Sequence, residues 1–83
     1  MKPTRKGNPA WREALGRRIC ALRGKNGWSQ EALAASALID RSQLTNIELG
    51  KAEAKIGTLR AIAGAFGITV SELLKEIPDF DLG

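Results

Sequence analysis

Residues 30–50, QEALAASALIDRSQLTNIELG, decide how this chain folds, because their apolar positions change rows once, at a point where the backbone must turn. Leu33, Ala34 and Ala37 share one helical face, whereas Leu44 and Ile47 share another at i, i+3 spacing after a new start at Asp40. The pattern predicts two short helices joined by a tight turn. At about eight residues each, neither is stable alone in water, so both must pack on something larger. The second helix carries Arg41, Ser42, Gln43, Thr45 and Asn46 away from its apolar row, and side chains of these types can hydrogen-bond the edges of bases.

The flanking sequence supplies the packing partners. Trp28 precedes Ser29 and can meet Leu33, Ile39 precedes Asp40 and can meet Leu44, and Ile68 precedes Thr69 and can meet Leu73. Each is a hydrophobic staple across a helix start, which predicts helices beginning at 30, 41 and 70. Thr69 with Glu72 adds a capping box, and Asp40 with Gln43 a looser version of one. Leu59, Ile62, Ala63 and Phe66 fall at i, i+3, i+4 and i+7, giving a helix over about 56–66 closed by Gly67. The last helix is expected to run from Val70 to about Glu76 and stop before Pro78. Upstream, Asn8-Pro9 is a helix-start signal, and Trp11, Leu15, Ile19 and Leu22 form one stripe on a helix of about 9–24, ended by Asn26 or Gly27. No stretch alternates with period two long enough to be a strand. The expected fold is all-α, with five helices and short loops.

Eighty-three residues, 43% apolar, suffice for one small domain. The net charge of +4 is unevenly placed: residues 1–28 hold eight Lys/Arg and one Glu, and residues 29–83 hold five Lys/Arg and eight Asp/Glu. The basic end can face a polyanion while the acidic end faces away. There is one cysteine, Cys20, and no histidine. No metal site or cofactor is therefore expected, and a reducing compartment fits the lone thiol. Cys20 is expected to be a small, partly buried residue of the first helix. No apolar run approaches the ~18 residues of a membrane span and the N-terminus lacks a signal-peptide core, so a cytoplasmic protein is expected. With no His for general-base work, no nucleophile motif and no phosphate-binding glycine loop, an enzyme is not expected.

Taken in order, Arg23, SQEALA at 29–34, Ile39, Leu44 and Ile47, then Glu48, Gly50 and Lys51, and TLRAIAGAFGITVSELL at 58–74 carry a resemblance. Over about residues 14–74 the chain resembles the Cro/phage-repressor (XRE-type) family of helix-turn-helix DNA-binding proteins. The resemblance implies a five-helix, lambda-repressor-like DNA-binding domain at residues 9–76, with the helix-turn-helix at about 30–49. A basic arm at 1–8 and a short acidic tail at 77–83 flank it.

The resemblance also implies roles. Arg41, Ser42 and Asn46 would face the floor of the major groove, with Arg41 suited to guanine and Asn46 to adenine. Gln30, Gln43, Thr45, Lys51 and Lys55 would make phosphate or flanking contacts, and Lys2, Arg5 and Lys6 of the arm could follow DNA. Glu48 would pair with Arg23, tying the second helix of the motif to the first helix of the domain. The expected partner is double-stranded DNA, bound as a homodimer to an inverted repeat, with Val70, Leu74, Ile77 and Phe80 as candidate dimer residues. The competing reading is a protein-interaction module, such as the DNA-binding antitoxin of a toxin–antitoxin pair. Four acids against one Lys between Glu72 and Asp81 favour a protein partner.

Four positions depart from the family pattern. Leu38 stands where the turn usually has Gly, so the turn is either strained or differently shaped. Ala54 replaces a proline, and Glu53 puts a carboxylate on a loop that often approaches phosphates. Leu49 is apolar beside the base-reading surface, where it could touch a thymine methyl or cover Trp28.

Overall fold

Pro9, whose missing N–H costs nothing at a first helical position, opens α1 (Pro9–Asn26). It is followed by α2 (Gln30–Ala37), α3 (Arg41–Glu48), α4 (Ile56–Phe66) and α5 (Val70–Leu73). These elements come from a computed structural model that describes residues 9–75 and 77. Every regular element among those residues is a helix, and none is long and apolar enough to cross a membrane.

Four helices end in one way. The residue after the last turn is left-handed, at φ 70° for Gly27, 60° for Leu38, 76° for Gly50 and 74° for Gly67. The N–H of the next residue then reaches back five positions: Trp28 to Arg23 O (3.0 Å), Ile39 to Ala34 O (3.0 Å), Lys51 to Asn46 O (2.9 Å) and Ile68 to Ala63 O (3.0 Å). This bonding satisfies carbonyls that the helix leaves open. At three of the four ends the chain re-enters a helix at once, through Gly27-Trp28-Ser29, Leu38-Ile39-Asp40 and Gly67-Ile68-Thr69. Trp28, Ile39 and Ile68 therefore close one helix and precede the cap of the next, and all three pack on the core.

Ser29 Oγ accepts the Ala32 N–H and Thr69 Oγ1 the Glu72 N–H, both at 3.0 Å. The looser box expected of Asp40 and Gln43 does not form. Asp40 makes no side-chain cap bond, and Gln43 Nε2 turns instead to Thr58 Oγ1 of α4 at 3.4 Å.

Leu38 settles the question of the turn: the left-handed conformation is kept and a leucine occupies it. A side chain there costs about 1–2 kcal/mol, and Leu38 recovers nothing by burial, being 90% exposed. Leu38→Gly should therefore stabilise the domain by about 0.5–1 kcal/mol after the extra unfolded-state entropy of Gly is deducted. Urea unfolding would register this as a higher midpoint at unchanged slope.

The core is built from Leu15 and Ile19 of α1, Leu33, Ala34 and Ala37 of α2, Leu44 and Ile47 of α3, Leu59, Ile62 and Ala63 of α4, and Leu73 of α5. Trp28 stacks on Phe66 with ring centroids 5.4 Å apart and planes 14° from parallel, so its partner is α4. Helix α1 runs two residues past its expected end. Helix α5 is shorter than expected, four residues that stop at Leu73. Its end is capped from α1: Arg18 donates through Nε to Leu73 O (3.1 Å) and through Nη2 to Glu72 O (2.7 Å). Beyond Leu73 the chain continues in turns, with the Lys75 N–H on Glu72 O at 3.2 Å and the Ile77 N–H on Leu74 O at 3.1 Å.

Candidate nucleic-acid interface

Helix α3 has two unlike faces because Leu44 and Ile47, spaced i, i+3, seal one of them into the core. Arg41, Ser42, Gln43 and Asn46 are left exposed together on the other side, with Leu49 just beyond the last turn. Thr45 lies between the two faces, half-buried.

The end of α3 is held by Glu48, a carboxylate only 8% exposed. Arg23 of α1 donates to it through Nε to Oε2 (2.8 Å) and through Nη2 to Oε1 (3.0 Å). Gln30 Nε2 of α2 donates to Oε1 at 2.7 Å, and Cys20 Sγ donates to the same oxygen at 3.2 Å. Thr45 completes the group by donating its hydroxyl to Gln30 Oε1 at 3.1 Å. One buried charge thus ties α1, α2 and α3 together, satisfied as a buried ion must be. Burial alone pushes the Glu48 carboxyl upward. The hydrogen bonds from Arg23, Gln30 and Cys20, with the charge of Arg23, outweigh burial and hold it below the usual carboxylate range. The same neighbourhood raises the Cys20 thiol, first by desolvation and then through Glu48, so it is held as the thiol. Cys20 is exposed as a residue, but its Sγ turns into the part-buried clasp, where it serves as a donor rather than as packing.

The expected site residues fall in different settings, Gln43 lying exposed on α3 against Thr58. Ser42 and Asn46 are exposed on α3, and Arg41 is exposed but paired with Glu31 of α2 across 3.5 Å. Lys51 and Lys55 are exposed on the loop after α3, with Lys55 at the N-cap of α4. Gln30 and Thr45 turn toward each other and Glu48, so their polar atoms serve the clasp in the free protein. Arg23, Ser29, Gln30, Glu31 and Arg41 line an open polar cleft of about 390 Å³ between the end of α1 and the starts of α2 and α3. Val70, Leu74 and Ile77 are half-buried and pack on the core of their own chain. Lys2, Arg5, Lys6 and Phe80 lie outside the described residues.

Three contributors escaped the sequence reading. Gly16 lies where α1 meets the end of α3, and a Cβ there would come 2.7 Å from Ile47 O and strike Glu48 O. A lone glycine inside a strong helical stripe was the available signal. Arg12 and Arg18 reach across 38 and 55 positions of chain, and nothing local announces such partners.

A family model described as helix-turn-helix domain matches residues 16–77. The chain is 40% identical over 62 residues to the immunity repressor protein of Bacillus phage phi105, covering 75% of this chain and 43% of that protein. It thus spans less than half the length of that relative. It is also 40% identical over 53 residues to the control protein C.MunI of a Mycoplasma species, covering 64% of this chain and 72% of that one. Among solved structures it is similar to the restriction-modification controller protein C.AhdI from Aeromonas hydrophila. That match has a TM-score of 0.73 and 32% identity, and covers 75% of this chain and 94% of the other.

Proposed function

Because the chain belongs to the helix-turn-helix domain family, of the XRE type, we propose that it is a sequence-specific DNA-binding transcriptional regulator that reads an inverted-repeat operator as a homodimer. One observation carries the reading: α3 is clasped to the domain by a buried, fully bonded carboxylate while Arg41, Ser42 and Asn46 stand exposed on its outer side. A helix held this firmly can present a fixed pattern of donors and acceptors to a major groove. Arg41 is assigned to guanine O6/N7 and Asn46 to adenine N6/N7, with Ser42 beside them. To reach a base Arg41 leaves Glu31, a change of little cost because both partners are largely in solvent, at 61% and 76% exposure.

Lys51, Lys55 and Gln43 are assigned to the flanking backbone. Gln30 still has a second amide hydrogen for a phosphate while the first remains on Glu48. The homodimer would use the exposed parts of Val70, Leu74 and Ile77 together with Phe80. A single recognition helix reads too few base pairs for a genome, and a two-fold pair of half-sites about 10 bp apart is the usual remedy. Such a regulator would work in the cytoplasm. A module acting mainly on another protein is the weaker reading, since the relatives named above are a repressor and controllers.

Selection of random duplex DNA by the purified protein at about 0.15 M salt tests the proposal, an enriched inverted repeat supporting it and the absence of any enrichment opposing it. On the enriched site, Arg41→Ala should cost about 1–3 kcal/mol per contact and relax preference at one base position per half-site. Lys51→Ala should instead weaken all sequences alike and make the salt dependence shallower by about one unit per phosphate contact. Equal losses for both variants on specific and random DNA would refute these two assignments.

A further inference from the structure

We propose that Arg12 is a positioning residue for DNA binding: from the first turn of α1 it fixes the loop that carries Lys51 and cancels the charge of Glu53 on that loop. The inference rests on the functional reading above and adds a residue that lies on no part of the helix-turn-helix. Arg12 donates through Nε to Gly50 O at 3.2 Å, and its Nη1 lies 4.0 Å from Glu53 Oε2. Its side chain is 23% exposed against 63% for Glu53, so the guanidinium is lodged under the loop while the carboxylate is out in solvent.

The corner it holds is itself tight. Gly50 is left-handed at φ 76°, and a Cβ there would lie 2.8 Å from Glu13 Cγ and 3.1 Å from Glu13 Cα. Lys51, the next residue, is thereby located from both sides, by its own N–H on Asn46 O of α3 and by its neighbour's carbonyl on α1. Glu53 is two residues from Lys51, and unopposed it would repel the same phosphates that Lys51 attracts. At 4.0 Å the contact of Arg12 with Glu53 is electrostatic rather than a formed hydrogen bond, which suits cancellation of charge.

The test is binding to a fluorescent random-sequence duplex of about 30 bp, followed between about 50 and 200 mM salt, because backbone contacts dominate there. Arg12→Ala should weaken binding about three- to tenfold and make the salt dependence shallower by about one unit. Glu53→Gln should restore part of that loss in the Arg12→Ala background, the remainder being the lost bond to Gly50 O, and alone it should strengthen binding by about twofold. In a Lys51→Ala, Glu53→Gln background, Arg12→Ala should change affinity less than twofold. Circular dichroism melts of each variant give the folded fraction, so that affinity is compared per folded molecule.

An Arg12→Ala effect as large in that double background would overturn the proposal and make Arg12 a phosphate ligand in its own right. So would a loss that only tracks the folded fraction, or no loss at all. No response to Glu53→Gln, a variant that leaves Arg12 bonded to Gly50, would also count against it. A wild-type protein that binds no duplex would remove the functional reading and this inference together, whereas wild-type binding with an unaffected Arg12→Ala removes this inference alone.

Discussion

Gly16→Ala should destabilise the domain by about 3 kcal/mol, unlike the same change at Gly24 of α1, where an added methyl meets nothing within 4 Å. The new Cβ would strike Glu48 O and lie 2.7 Å from both Ile47 O and the Glu48 carbonyl carbon. These are backbone atoms at the end of a packed helix and cannot swing aside as a side-chain tip does. Relief requires α1 and α3 to separate, which opens the core around Leu15, Ile19 and Ile47 and stretches the Arg23–Glu48 pair. For a domain of this size the loss corresponds to a drop of about 12–24 °C in melting temperature. Gly64→Ala is the matched control: it lies in α4 with nothing within 4 Å of the added methyl. That change should raise stability by about 0.5–1 kcal/mol through helix propensity. Similar effects of the two alanines on the melting temperature would mean that α1 and α3 do not approach as closely as the backbone places them.

Glu48→Ala is expected to cost a further large amount, about 3 kcal/mol, because it leaves Arg23 without a counter-charge and Gln30 and Cys20 without an acceptor. The loss falls at the lower end for a broken buried pair because the Arg23 side chain is itself 21% exposed. Glu48→Gln keeps the shape but turns amide hydrogens toward a group of donors, so it should resemble Glu48→Ala rather than wild type.

Acid separates the charge from the shape. Since the folded-state pKa of Glu48 is depressed, its ionised form contributes stability above the range where the unfolded chain titrates, and that contribution disappears as pH falls through the folded value. Wild type should therefore lose stability more steeply than Glu48→Gln as pH falls below the range where an unfolded glutamate titrates, and the two should converge once Glu48 is protonated in the folded state as well. Parallel curves in urea would show that the carboxylate is ionised equally in both states.

The architecture was legible because it is written locally. Staples at Trp28, Ile39 and Ile68, glycines at helix ends and rows at i, i+3 each concern residues within one or two turns, and those helix starts stand where the spacing put them. The capping of the α5 end was not legible, because Arg18, which bonds its last carbonyls, belongs to a helix fifty-odd positions upstream. The Asp40 box failed for a related reason: Gln43 found Thr58 of α4, a partner that no local rule weighs.

At the candidate interface, the exposure of Arg41, Ser42 and Asn46 followed from the burial of Leu44 and Ile47. The Arg23–Glu48 pair came from the family resemblance. Residue type alone could not assign Gln30 and Thr45, since an amide and a hydroxyl serve a carboxylate as readily as a phosphate. Only packing gives Gln30 to Glu48 and Thr45 to Gln30. Cys20 was misjudged because a free thiol more often behaves as a small hydrophobe than as a donor.

The three-residue links at 27–29, 38–40 and 67–69 also determine where this chain can change in length. Each middle residue serves two helices, so one inserted or deleted residue would displace a closing bond and a cap together, and the apolar side chain between them would lose its seat. The segment from Gly50 to Lys55 carries no such double duty: it closes α3 but leads to α4 through four further residues before the N-cap. Natural variation in length within this fold should therefore concentrate after Gly50, beside α3, where under the proposed function a longer or shorter loop would alter the approach to the DNA backbone without altering the helix assigned to the groove.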